Sequence, residues 1–168
     1  CRARTVGITG SAGKSTTTAL VGRILQESGA RVYVGGNIGR PLIEVVEEIP
    51  PDATAVLELS SFQLELVRSS PRIGTVLNIS PNHLDIHPGM DHYISAKKNL
   101  FRFQRPQDHL VLNADDPLTA AMAAEAASRV RWFSTERPVA GACLAGDWIA
   151  LAGPGDAGGG GGRGEGDG

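Results

Sequence analysis

The stretch Val6-Gly-Ile-Thr-Gly-Ser-Ala-Gly-Lys-Ser-Thr-Thr17 decides the fold. A β-forming run, Thr5–Thr9, enters a glycine turn, and Gly13-Lys14-Ser15 opens a helix. Gly10 and Gly13 let the backbone turn tightly and aim N–H groups inward. The helix N-terminus adds positive partial charge where a polyphosphate would lie. Lys14 can reach terminal phosphates, and the Ser15 hydroxyl can ligate Mg²⁺. The usual phosphate-loop spacing, GxxxxGK followed by Ser or Thr, would require glycine at position 8, where this chain has Ile8. The loop is therefore a shortened relative. Glycine turns are common between strands and helices, but Lys-Ser-Thr at the helix start favours a phosphate site.

Working outward, β-rich runs alternate with helical patterns. Strands are predicted at Thr5–Thr9, Val32–Gly35, Ala53–Leu59, Gly74–Ile79, Leu110–Asn113 and Val130–Phe133. Helices are predicted at Ser15–Gln26, Pro41–Glu48, Phe62–Val67, Asp91–Phe103 and Pro117–Ala127. In the first helix Leu20, Val21, Ile24 and Leu25 form a stripe suited to packing on a sheet. This alternation predicts an α/β fold, a mostly parallel sheet flanked by helices in a P-loop-type nucleotide-binding domain, with ligands at the carboxyl ends of the strands. Cys143–Leu151 is expected to add an outer hairpin strand. The domain is expected to span residues 1–152. The glycine-rich tail 153–168 holds ten of the chain's 22 glycines and is expected to be disordered.

Composition narrows the function. Of 168 residues, 16 are Lys or Arg and 18 are Asp or Glu, a net charge of −2, which argues against a general nucleic-acid binder. No apolar run is long enough to span a bilayer. Cys1 and Cys143 form neither a disulfide framework nor a metal spacing, so a cytoplasmic setting is expected.

Further candidate residues lie at strand ends. Asn37, in Gly35-Gly-Asn-Ile-Gly39, offers a donor and an acceptor at the ligand edge. Glu58, leaving the third strand, is placed to hold Mg²⁺ opposite the loop or to cap the following helix. His83 and His87 are four apart, but Pro81 and Pro88 break any helix there and no third ligand is evident, so zinc is disfavoured. His83 has either a structural role or one near the phosphates. Asn113 carries the groups to read an adenine edge, while Asp116 before Pro117 makes a good helix cap.

Lys97 falls on the inward stripe Tyr93, Lys97, Leu100 and Phe101 of its helix, with Lys98 toward the edge. Either its stem packs while its head reaches solvent, or burial depresses its pKa and leaves a neutral amine able to form a carbamate with CO₂. A carbamate is in effect a carboxylate and could ligate a metal.

Together Gly7–Thr17, Gly35–Leu42, Leu57–Glu65, Asn78–His87, Tyr93–Phe101 and Leu112–Pro117 resemble the central ATP-binding domain of the Mur ligase family, the amino-acid ligases of peptidoglycan assembly. Glu58–Glu65 with Gly36–Leu42 is most similar to the members that add D-glutamate to UDP-N-acetylmuramoyl-L-alanine. The resemblance implies ATP phosphates bound by Gly10, Ser11, Ala12, Gly13, Lys14, Ser15 and Thr16, with Lys14 stabilising the γ-phosphoryl group in transfer. It implies one Mg²⁺ on Ser15 and Glu58, a second on His83 and carbamylated Lys97, substrate contacts from Asn37 and Ser60, and adenine contact from Asn113. Lys14, His83 and Lys97 are thus the implied catalytic residues. The implied reaction activates the L-alanine carboxylate as an acyl phosphate, which D-glutamate then attacks.

Ser11 and Ala12 stand where the family commonly has Thr-Asn, which predicts weaker contacts at a retained site. Asn82 stands where an Asp commonly precedes the histidine. The family's flanking domains, for the UDP part and for closing over ATP, are not encoded here, so the chain is expected to be a fragment that binds ATP but is inactive alone. The alternatives are another ligase of the same fold, such as a folylpolyglutamate synthase-like enzyme, and a non-catalytic nucleotide-binding remnant.

Overall fold

The structure, a computed structural model, describes residues 2–39, 41–80 and 89–153. Eight strands are present among them: β1 (Arg4–Thr9), β2 (Val32–Gly36), β3 (Thr54–Glu58), β4 (Ile73–Val76), β5 (His109–Asn113), β6 (Arg129–Ser134), β7 (Gly141–Ala145) and β8 (Trp148–Leu151). Four α-helices accompany them: α1 (Lys14–Glu27), α2 (Ser61–Leu66), α3 (Met90–Lys98) and α4 (Pro117–Ala121). The strands form one sheet in the order β2-β3-β1-β4-β5-β6-β7-β8. All pairings are parallel except the antiparallel β7–β8 hairpin at the edge. The α/β expectation and the outer hairpin are both met. The tail beyond Gly153 lies outside the described residues.

Register positions the site. Ile8 and Gly36 both pair with Glu58, and Thr9 pairs with Val76. The carboxyl ends of β1 to β4 therefore finish at one edge. The chain leaves β1 toward α1 and β2, returns through β3 beside β1, and then builds β4 on the other side. Such a reversal beside β1 opens a crevice at the strand ends.

Both sheet faces are covered. On one, Val6, Ile8 and Val56 pack against Val21 and Leu25 of α1. On the other, Leu64 of α2, Tyr93 of α3, and Leu100 and Phe101 close over Val76, Leu110 and Leu112. Fully burying each such side chain is worth about 1.5–3 kcal/mol.

The α1 stripe differs from its prediction. Thr18 and Gly22 are buried beside Val21 and Leu25, whereas Leu20 and Ile24 are more than half exposed. A Cβ on Gly22 would come within 2.5 Å of Val34, so the glycine lets the helix lie close on β2 and turns the larger residues outward.

Three helical predictions shorten. Pro41–Glu48 yields only a 3-10 turn at Leu42–Val45, where Leu42 packs with Ala3, Ile49 and Ala53. Its β-branched residues and the following Pro50-Pro51 do not sustain a helix. Asp91–Phe103 becomes α3 plus tight turns, in which Asn99, Leu100 and Phe101 donate to carbonyls three residues back. Here the buried Asn99 amide donates to the Leu64 carbonyl at 2.9 Å. The last prediction, Pro117–Ala127, ends as α4 followed by a 3-10 turn at Met122–Glu125. Among the described residues no helix is long and apolar enough to cross a membrane.

Candidate functional site

The loop after β1 is held from behind by the end of β4. The Ser11 N–H donates to the Asn78 carbonyl at 2.9 Å, and the Ala12 N–H donates to Asn78 Oδ1 at 2.8 Å. Asn78 Nδ2 returns a bond to the Ala12 carbonyl at 3.1 Å. The Ser11 hydroxyl accepts the Ser80 N–H at 2.9 Å and lies 3.0 Å from the Tyr93 hydroxyl. Ser11 and Ala12 thus shape the loop through bonds to protein. Gly13, at φ +80°, makes the left-handed turn into α1 that glycine adopts without strain. The first turn of α1 has no intrahelical acceptors for its N–H groups, and Ser15 and Thr16 are exposed there. That turn, with Lys14, is the part of the loop open to an anion.

Two lysines meet at the loop. Lys14 Nζ donates to the Gly10 and Ser11 carbonyls at 3.1 and 3.3 Å. Lys97 Nζ donates to the same Gly10 carbonyl at 3.0 Å and to Thr9 Oγ1 at 3.3 Å, and sits 4.5 Å from the Tyr93 ring centroid. Lys97 is 1% exposed, so the reading in which its head reaches solvent is overturned. Burial first, and the neighbouring Lys14 charge second, lower its pKa from 10.5 to about 7. Lys98 instead pairs with Glu125 at 2.6 Å.

Glu58 ends β3 and is buried. Its Oε1 accepts from Asn37 Nδ2 at 3.2 Å, while Oε2 has no partner among the described residues. A buried carboxylate oxygen without a donor is costly unless a cation meets it. With the exposed Ser15 hydroxyl in the loop, this oxygen fits the hard oxygen donors that Mg²⁺ takes.

Helix capping by Glu58 is excluded, because Ser60 caps α2. Its Oγ accepts the Gln63 N–H at 3.2 Å, and Gln63 Oε1 accepts the Ser60 N–H at 2.9 Å. The spacing Ser60-x-x-Gln63 is the sequence signature of this reciprocal cap. Asn37 reaches Glu58 because Gly36, at φ +102°, lies so close to the Glu58 carbonyl that a Cβ would collide with it at 2.2 Å.

Gly10, Lys14, Asn37, Ser60, Tyr93 and Lys97 together line a cavity of about 240 Å³ at this edge. Asn113 stands apart, at the end of β5. Its Nδ2 donates to the Leu77 carbonyl at 3.1 Å and its Oδ1 accepts the Asp115 N–H at 2.9 Å, so one N–H and one lone pair remain without a partner among the described residues. Asp116 caps α4 as expected, accepting from Leu118 and Thr119, and its other oxygen accepts the Ile79 N–H at 2.6 Å. His83, with Asn82 and His87, lies outside the described residues.

Sequence reasoning missed Asn78 and Tyr93 as supports of the loop. Neither carries a local signal, since each acts on residues far away in the chain.

The sequence pattern of the Mur ligase middle domain matches residues 8–147. The chain is similar to the UDP-N-acetylmuramoylalanine–D-glutamate ligase of Symbiobacterium thermophilum, 63% identical over 134 residues, covering 80% of this chain and 30% of that protein. The ligase of the same name from Clostridium novyi is 49% identical over 154 residues, covering 91% of this chain and 34% of that one. The chain thus spans about a third of the length of these relatives. Among solved structures, a UDP-N-acetylmuramoyl-L-alanyl-D-glutamate–2,6-diaminopimelate ligase superposes with a TM-score of 0.74 at 25% identity, over 85% of this chain and 34% of that one. The Escherichia coli FolC structure shares the fold alone, with a TM-score of 0.55 at 14% identity over 79% of this chain and 43% of that one.

Proposed function

Because the chain belongs to the Mur ligase middle-domain family, we propose that it is the ATP-binding and phosphoryl-transfer unit of a ligase that joins D-glutamate to UDP-N-acetylmuramoyl-L-alanine. The observation that carries this reading is the convergence of Lys14, Lys97, Asn37 and Ser60 on one cavity at the strand ends, with Glu58 beside Asn37. The names of the similar ligases support the substrate assignment, and the low identity to FolC disfavours the folate alternative.

The triphosphate lies along the first turn of α1, where the free N–H groups and the helix dipole favour anionic charge. Lys14 leaves the Gly10 and Ser11 carbonyls to meet the γ-phosphate. Ser15 and Glu58 would hold Mg²⁺, and His83 with Lys97 as its carbamate would hold a second. Mg²⁺ held there would neutralise the phosphates and the substrate carboxylate that must approach them. Asn37 and Ser60 orient the muramoyl substrate, and Asn113 faces the adenine.

An oxygen of the L-alanine carboxylate attacks the γ-phosphorus. The bond from that phosphorus to the β–γ bridging oxygen breaks, and ADP leaves with the electron pair. The D-glutamate amine then attacks the acyl carbon, phosphate departs, and the nitrogen loses a proton. The cytoplasm, where ATP is made, is the expected setting. In the whole protein the flanking domains would supply the UDP and amino-acid sites.

Titration of the chain with ATP, with and without Mg²⁺, tests the nucleotide part. Binding should require Mg²⁺ for full affinity and fall at least tenfold in Lys14→Ala. Equal affinity in that variant refutes the site.

A further inference from the structure

At the opposite edge of the sheet, where the strands begin, lies a cavity of about 680 Å³ walled by Arg2, Arg68, Arg72 and Arg105 together with Thr5 and Asp108. Arg2 precedes β1, Arg68 and Arg72 lie between α2 and β4, and Arg105 precedes β5. At about 3.3 Å per strand residue, Thr5 stands roughly 16 Å from Gly10, so this cleft is distinct from the phosphate loop.

The segments carrying Arg72 and Arg105 are held in place by hydrogen bonds. The Arg72 N–H donates to Thr5 Oγ1 at 3.2 Å, and the Arg105 N–H donates to Asp108 Oδ2 at 2.8 Å. Beneath them the buried Gln104 amide donates to the Pro71 and His109 carbonyls, both at 2.9 Å, and accepts from Ser128 at 2.7 Å. Ser70 Oγ ties the same region together, accepting the Phe103 N–H at 3.0 Å and donating to the Asn99 carbonyl at 3.1 Å.

Among the described residues, none of the four guanidinium groups forms an ion pair. Among the described residues Arg68 donates only to the Glu65 and Val67 carbonyls. Four positive charges against the single Asp108 carboxylate leave three in one cleft, on a chain whose net charge is −2. All four arginines are exposed, and the three uncompensated charges around one cleft give it a positive potential that attracts anions.

We propose that this cleft binds a small polyanion carrying two or more phosphate groups. Guanidinium forks bind phosphate oxygens in pairs, and a tetrahedral phosphate accepts from several directions at once, whereas a carboxylate accepts in one plane. A single monoanion would leave most of the charge uncompensated. A nucleic acid would need a basic surface continuing beyond the cavity, and the net-negative chain does not favour one.

The test is a titration of the 168-residue chain with sodium triphosphate in the absence of Mg²⁺, followed through the arginine Nε–H resonances. Saturable shifts are expected at Arg72 and Arg105, and they should persist in Lys14→Ala, which disables the loop. The double variant Arg72→Gln/Arg105→Gln should weaken this binding at least tenfold with an unchanged melting temperature. Should that variant fail to fold, Arg105→Lys, which keeps the charge and loses the fork, should weaken it at least threefold. Absence of saturable shifts overturns the proposal, as does their loss in Lys14→Ala. Citrate binding as tightly as triphosphate overturns the phosphate assignment.

Discussion

Removing the charge of Lys14 should raise the pKa of Lys97. Both ammonium nitrogens donate to the Gly10 carbonyl, at 3.1 and 3.0 Å, so they stand no more than about 6 Å apart. At that distance two unit charges repel by about 3 kcal/mol at an effective dielectric constant of 20, and by about 0.7 kcal/mol in bulk water. Since each factor of ten in proton affinity is about 1.4 kcal/mol, Lys14→Met should move the Lys97 midpoint upward by roughly 0.5 to 2 pH units. The rest of the displacement from 10.5 to about 7 comes from burial and should remain. The assay is an NMR titration of the Lys97 Cε resonance in the parent and the variant. A parent midpoint near 10.5 would refute the burial argument, and an unmoved midpoint in the variant would refute the coupling.

The same group makes stability depend on pH. Below about pH 7 Lys97 is charged in both the folded and unfolded states, and folding bears the full cost of burying it. Between about 7 and 10.5 the folded amine is neutral while the unfolded one still holds its proton, so stability rises with pH. The total is on the order of 5 kcal/mol, and Lys97→Met should abolish the slope in urea titrations across that window. Glu58→Gln should raise the melting temperature, because a neutral amide replaces a buried carboxylate with an unpartnered oxygen, while weakening Mg²⁺-dependent ATP binding at least tenfold. Gly36→Ala should destabilise by more than about 2 kcal/mol in denaturant titration, since it forces both a left-handed backbone and a collision with the Glu58 carbonyl. Asp116→Ala should cost about 2 kcal/mol by the same measurement, from the lost α4 cap and the abandoned Ile79 N–H.

Features set by local chemistry were legible in the sequence. The strand–glycine–lysine order located the loop, the 3.6-residue period placed Tyr93 and Lys97 on the buried face of α3, and Asp116-Pro117 marked a cap, while Leu100 and Phe101 are buried from the turns that follow α3. What escaped depends on partners distant in sequence. Periodicity put Lys97 inward, yet only the fold reveals that its head ends on Gly10, 87 residues away. Leu20 and Ile24 looked like packing residues until the close approach of Gly22 to Val34 rotated α1. Asn78 clamps Ala12 from 66 residues away, where no spacing rule applies. The Ser60–Gln63 cap was a local signal, and it would have removed helix capping as a role for Glu58 from sequence alone.

Domain exchange tests most directly whether this chain serves phosphoryl transfer in a D-glutamate ligase. The matching 134-residue segment of the Symbiobacterium thermophilum ligase can be replaced by the corresponding stretch of this chain, 63% identical to it. Phosphate release is then measured with ATP, UDP-N-acetylmuramoyl-L-alanine and D-glutamate. Turnover is expected within about tenfold of the parent ligase, dependent on D-glutamate and lost on Lys14→Ala. A folded chimera that binds ATP yet releases no phosphate with both substrates present would contradict that role.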